Sequence, residues 1–199
     1  MAAAAGRASP QARPAAVRTL LILAPLLMLA GCGEKPSPPP VTPFNAVDVM
    51  FLQMGLEQIK EGDQVAAVAA ERASDPAVRA LATELRGQWQ DESGTMQRWL
   101  LGWEQPLTPD PAAGAHAGHG DLHSLRPQDI ASLRAEKPES FDRTAVSMLL
   151  GTLHNGVETT RMESTGGEYP PARTLATTMT GTRMAQIRRL LTLAARPVA

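Results

Sequence analysis

The chain has 199 residues, a formal net charge of −1, 43% hydrophobic and 20% charged residues, and one cysteine. A chain this close to neutral lacks the basic surplus that nucleic-acid binding needs, so no nucleic-acid partner is expected. A single cysteine excludes an intramolecular disulfide.

The N-terminus carries Arg7, Arg13 and Arg18 with no acidic residue, then an apolar run from Leu20 to Ala30. A membrane helix needs roughly 20 apolar residues, so this run is short for a span. It has the length of a signal-peptide core behind a basic start. The run ends in Leu29-Ala30-Gly31-Cys32. Small residues before the cut admit a signal peptidase, and Cys32 after it offers a thiol for lipid. This resembles the lipobox of bacterial lipoproteins. Residues 1–31 then form the signal peptide and Cys32 is the lipidation site. Two acyl chains would hold the protein at the cell membrane from outside the cytoplasm. Residues 32–43 contain GEKPSPPPVTP, whose proline density predicts an extended tether.

Residues 44–196 are expected to form one domain. Helical spacing of Val47, Phe51, Met54, Val65 and Val68 predicts a first helix over 46–71. Asp75-Pro76 reads as a cap and first turn of a second helix running to about Trp103. Residues near 104–137 read as a His- and Gly-containing crossover loop with a short helix from Pro127 to Glu136. Ser140 is expected to cap a third long helix reaching about Ser164, with Asp142 in its first turn. Gly166-Gly167 ends it, and Pro170-Pro171 start a fourth that reaches about Ala195.

Shifting the sequence by 94 places Met54 on Met148, Gly62 on Gly156, Pro76 on Pro170, and Leu81-Ala82-Thr83 on Leu175-Ala176-Thr177. The fold expected is therefore all-α, a four-helix bundle built from two helical hairpins related by an internal repeat. The predicted inward stripes turn polar at mid-length. They place Gln58 and Glu61 on the first helix, Gln88 and Glu92 on the second, Thr152 and Asn155 on the third, and Thr182 and Gln186 on the fourth. Burying unpaired amides and carboxylates is costly, so these eight residues are predicted to face one another as a polar layer. The competing reading turns the stripes outward and puts them in solvent.

Four stretches carry a family resemblance: DVMFLQMGLEQIKEG (48–62), LATELRGQWQDESGTMQRWL (81–100), FDRTAVSMLLGTLHNGVETTRME (141–163) and MAQIRRLL (184–191). They resemble the domain-of-unknown-function 305 family. The resemblance implies a ferritin-like fold, a secreted or membrane-anchored location and, for some members, copper binding. The family's hallmark is a methionine followed four residues later by a His-His pair in the first helix of each hairpin. Here Met54 and Met148 stand, but the paired positions hold Gln58-Ile59 and Thr152-Leu153. Glutamine and threonine are weak ligands for copper or zinc, so the implied metal site is degenerate. His154 lies about 200° round the helix from Thr152 and does not replace the pair.

Other metal candidates are His116, His119 and His123 in AHAGHGDLH, whose spacing suits a divalent ion, and Met54, Met96 and Met148 as soft ligands for Cu(I). Methionine is equally an ordinary gap-filler of helical cores. Neither a nucleophile elbow nor a phosphate loop is present in the sequence. The reading is a lipid-anchored, non-catalytic binding module of the cell envelope with no assured cofactor and an unidentified protein partner. The alternatives are a copper or divalent-metal sequestration protein using those histidines and methionines, and, further off, an enzyme using Glu61 and Glu92.

Overall fold

The computed structural model describes residues 43–110 and 125–196. Cys32, His116, His119 and His123 lie outside the described residues. The elements are α1 (Ala46–Arg72), α2 (Pro76–Gly102), α3 (Pro127–Ala135), α4 (Pro138–Gly166) and α5 (Pro170–Ala194). No strand occurs among the described residues. The four long helices pack as a bundle, α1 against α2 and α4, and α4 against α5, with the short α3 against α1 and α4.

The boundaries follow local chemistry. Asn45 caps α1, its side chain accepting from the N–H of Val47 at 2.8 Å and Asp48 at 3.1 Å, while the Asp48 carboxylate accepts from the Asn45 N–H at 2.7 Å. Asp75 caps α2 by accepting from the Ala77 N–H at 2.7 Å, and prolines begin α2, α3, α4 and α5. Helix α2 ends at Trp103, where Glu104 takes φ 57°, and the Gln105 N–H turns back onto the Leu100 carbonyl at 2.8 Å. Arg72 at the end of α1 donates to the carbonyls of Leu133, Arg134 and Glu136, satisfying the last turn of α3, and lies 4.5 Å above the Phe141 ring.

Helix α4 starts earlier than the sequence reading placed it. Pro138 opens it, and the Ser140 hydroxyl donates to Glu136 at 2.6 Å instead of capping. Asp142 also does more than meet a helix dipole. Its carboxylate reaches across to the α1–α2 turn, accepting from the Ser74 N–H (2.9 Å), the Ser74 hydroxyl (2.6 Å) and the Asp75 N–H (2.7 Å). At the other end Asp48 accepts from the N–H groups of Glu168 (3.1 Å) and Tyr169 (2.9 Å) in the α4–α5 turn. Each hairpin's first helix thus ties down the other hairpin's turn, through residues that stand 94 positions apart in the chain.

The core centres on Phe51, Leu52, Leu81, Leu85, Trp89, Phe141, Leu149 and Leu153. On α1 the buried residues are Asp48, Phe51, Leu52, Gln53, Gly55, Ile59, Gly62, Val65, Ala66, Val68 and Ala69, among them Phe51, Val65 and Val68 of the expected stripe. Burial departs from that stripe at mid-length, where Met54, Gln58 and Glu61 are only half-buried. The reason is packing. A Cβ added at Gly55 would lie 2.9 Å from Met96, and one added at Gly62 would lie 2.6 Å from Thr152 and 2.9 Å from Trp89. Both glycines face inward and are filled by large neighbours.

Candidate functional site: the polar layer inside the bundle

Helices α2 and α5 run antiparallel and meet through long polar side chains. Asp75 pairs with Arg196 at 2.9 Å, Glu84 with Arg189 at 2.7 Å, and Glu92 with Arg183 at 2.9 Å. Every acid lies on the α2 side and every arginine on the α5 side. The outer two pairs are solvated and contribute little. The inner pair is different, because its side chains are only 5% (Arg183) and 8% (Glu92) exposed.

Around that pair the polar groups form a chain. Arg183 Nη2 donates to one Glu92 oxygen, and Gln88 Nε2 donates to the other at 2.7 Å. Gln186 Nε2 donates to Gln88 Oε1 at 2.7 Å. Burial pushes the Arg183 guanidinium below its ordinary pKa, opposed by the Glu92 carboxylate. Gly156 makes the arrangement possible, since a Cβ there would sit 2.6 Å from Arg183 Nε and 3.0 Å from its Cδ. Arg183 Nη1 and Gln186 Oε1 are buried without a hydrogen-bond partner. A cavity of about 10 Å³ lies beside Arg183, lined also by Gln58, Ile59, Trp89, Thr152 and Gly156. That is space for one water molecule.

Of the eight residues predicted to share a layer, the structure joins Gln88, Glu92 and Gln186. Gln58 and Thr152 border the adjoining cavity, where Gln58 Nε2 donates to Thr159 Oγ1 at 2.8 Å and the Thr152 hydroxyl donates to the Met148 carbonyl at 3.1 Å. Asn155 is half-buried, and its carbonyl accepts from Thr159 Oγ1 at 3.2 Å. Thr182 is half-buried and its hydroxyl returns to the Thr178 carbonyl at 3.0 Å. Glu61 is a correction. It sits at the bundle's edge, half-buried, and accepts from the Leu125 N–H at 3.2 Å, where it anchors the start of the α3 segment. Burial raises its pKa, against that N–H, and Glu57 adds to the rise. Glu61 and Glu92 therefore form no hydrogen-bonded carboxylate pair: each is committed to other partners.

The three methionine candidates differ in setting. Met96 is buried against Gly55, and Met54 and Met148 are half-buried. His154 is exposed, as its position round the helix predicted. Among the described residues no group of three or more His, Cys, Asp or Glu side chains is placed to hold a metal. Copper, which the family resemblance brings into question, does not fit the described interior. Gln58 and Thr152 offer weak oxygen and amide donors, and the Arg183 guanidinium faces the same cavity.

A second buried cluster escaped the sequence reading. Glu163, near the end of α4, has no exposed surface, and its carboxyl lies against that of Asp48. It packs on Gly167, where a Cβ would lie 2.2 Å from its Oε1. Burial, then the hydrogen-bonding and charge of Asp48, push its pKa up to about 8. Asp48 goes the other way. Burial raises it, but the N–H donors of Asn45, Tyr169 and Glu168, with Glu163, hold it below the usual carboxylate range. Within this cluster the surroundings favour the neutral form of Glu163 and the ionised form of Asp48. An aromatic group closes this end of the bundle: Phe44 stacks on Trp103 at 4.2 Å, and Tyr169 meets Trp103 edge-on at 5.0 Å and Trp99 at 5.4 Å.

Outside the bundle, a groove of about 840 Å³ runs between α1 and α2, lined by Leu56, Ile59, Arg86, Gly87 and Trp89 and crossed by Leu107. Its charges are already paired on the rim, Lys60 with Glu57 and Arg86 with Asp63.

The fold has solved counterparts. A crystal structure of a DUF305 fragment from Deinococcus radiodurans superposes with a TM-score of 0.68 at 20% identity, covering 78% of this chain and 100% of that one. A DUF305 protein from Streptomyces coelicolor, designated a candidate secreted protein, gives 0.67 at 18% identity, covering 74% and 89%. CopM in its Cu(II)-bound form gives 0.63 at 20% identity, covering 74% and 95%. At these identities the likeness establishes the fold. No curated protein matches the chain. The model of the family described as "Domain of unknown function (DUF305)" matches residues 48–194, nearly the whole bundle. The chain belongs to the DUF305 family.

Proposed function

We propose that the protein is a lipid-anchored, extracytoplasmic binding module of the cell envelope, non-catalytic, whose bundle interior is closed and whose partners are met from outside. The observation that carries this reading is the interior itself. Its central positions hold a buried ion pair bridged to two glutamines, which leaves room for one water rather than a substrate. The location rests on the basic start, the short apolar run and Leu29-Ala30-Gly31-Cys32. No helix among the described residues is long and apolar enough to cross a membrane. Cys32→Ala is expected to abolish lipid attachment and move the protein from the membrane fraction. Mass spectrometry of the native protein showing a free Cys32 thiol would reject the anchor.

A second reading is favoured by the copper-bound state of CopM, a neighbour of the same fold. Copper binding by this chain would then fall to His116, His119 and His123, because the bundle lacks paired imidazoles. Replacing all three by alanine is expected to remove Cu(II) binding measured by calorimetry while the helical circular dichroism stays unchanged. Undiminished affinity in that variant would move the search to Met54, Met96 and Met148. Absence of Cu(II) binding in the native protein would leave the metal-free module.

A further inference from the structure

The Glu92–Arg183 pair sits in a place prepared for a cation. Glu92 has both oxygens engaged, by Arg183 Nη2 and Gln88 Nε2. Glycine at 156 leaves the channel in which the guanidinium lies. The cavity beside it is bordered by Thr152, whose hydroxyl proton is spent on the Met148 carbonyl, so that only lone pairs remain to face inward. Gln186 Oε1, one turn along α5, is a further buried acceptor without a donor. One Glu92 oxygen thus meets the single positive group of this layer, and that group is a side chain lying beside a cavity that Gln58 and Thr152 border.

We infer that Arg183 is a built-in cation for this polar layer, so that the native interior takes no metal ion and becomes a site for a small organic cation once the arginine side chain is removed. The unpartnered Arg183 Nη1 points to the first consequence. Donor on one side and Thr152 acceptor on the other suit one bridging water, whereas an anion would meet the lone pairs of Thr152. The second consequence follows from charge. Without Arg183, Glu92 is left buried beside an enlarged cavity with no counterion. Uncompensated buried charge is the costliest element of such a layer, and any cation that fits relieves it. A guanidinium ion matches the vacated shape and its donors. The inference rests on the layer alone, so its failure leaves the anchor and the histidine reading untouched.

The test is chemical rescue. Arg183→Ala is expected to melt several degrees below the native protein, and millimolar methylguanidinium is expected to restore most of that loss. Sodium chloride at matched ionic strength is expected to do neither, and the native protein should not respond. Arg183→Met, which fills the volume without the charge, should stay low and unrescued. If Arg183→Ala does not fold alone, folding on addition of methylguanidinium is the same positive result. No response of Arg183→Ala to methylguanidinium, folded or not, overturns the proposal. In the native protein, equimolar Cu(II) should leave the NMR signal of the Gly156 amide, which lines the cavity and not the outer groove, unbroadened. Paramagnetic loss of that signal would place a metal inside the bundle and overturn it equally.

Discussion

Replacing Glu92 by leucine lowers stability by about 3–5 kcal/mol, the usual cost of stranding one partner of a buried ion pair. The substitution adds apolar volume to a core position, which taken alone would favour folding. It fails because Arg183, 5% exposed, loses its counterion, and because Gln88 Nε2 loses its acceptor in the same step. The double variant Glu92→Leu/Arg183→Met removes both charges. It is expected to recover most of the loss and to exceed the native protein by up to about 1–4 kcal/mol if the side chains pack well. Urea denaturation of the native protein, both single variants and the double variant closes the cycle. A coupling energy near zero would mean that the two groups do not share one desolvated layer. The outer pairs provide the internal control: Glu84→Ala, whose partner Arg189 is half-exposed, should cost less than about 1 kcal/mol.

That layer was half legible in the sequence. Gln88, Glu92 and Gln186 follow from apolar spacing, because Leu85, Met96 and Leu190 mark the inward faces of their helices. Arg183 was missed although it stands four residues after Met179 and seven before Leu190, on the same face. A cation on a helix is ordinarily solvated, so spacing alone did not assign it inward. The informative signal was Gly156, a helical glycine whose inward position only a bulky partner explains. The same blindness displaced the α1 stripe. Gly55 and Gly62 carry no side-chain hydrophobicity, yet they are the closest approaches to Met96, Thr152 and Trp89, so a stripe drawn through apolar residues rotates away from them. Glu61 fell on that rotated stripe and was placed inside for the same reason. In sequence Asp142 is a local helix-end charge, because its partners, Ser74 and Asp75, lie 68 and 67 residues away in the chain. The bundle's helices, their prolines and its interhelical turns need only local rules, and these the sequence states openly.

Glu163 supplies the second large effect, and it is read through pH. In the unfolded chain its carboxyl ionises near its ordinary value of 4.5, whereas in the fold burial holds the proton on to about 8. Between those values the folded state binds the extra proton, so stability is full below pH 4.5, falls as pH rises, and levels off above pH 8. One group of this kind changes stability by at most about 1.4 kcal/mol per pH unit. Across the window the loss is on the order of a few kcal/mol. The cause is geometric. Deprotonation puts a second charge beside Asp48, which cannot give way, because Asn45, Glu168 and Tyr169 hold it with three backbone N–H groups. Among the other groups with an assigned influence, Arg173 favours the ionised form but is outweighed. Repulsion should act first on the contacts Asp48 makes, loosening the α4–α5 turn from the start of α1. Glu163→Gln keeps the shape and the donor but cannot ionise. It is expected to be more stable than the native protein at pH 8.5, and to lose that advantage as pH falls towards 5. Glu61, also raised, remains in both proteins, so the difference between the two stability curves isolates Glu163. Hydrogen exchange at the Glu168 and Tyr169 amides, compared between native protein and variant at one alkaline pH, locates the effect at this turn. Parallel curves from pH 5 to 8.5 would show that Glu163 is ionised in the fold throughout and that Arg173 outweighs Asp48 there.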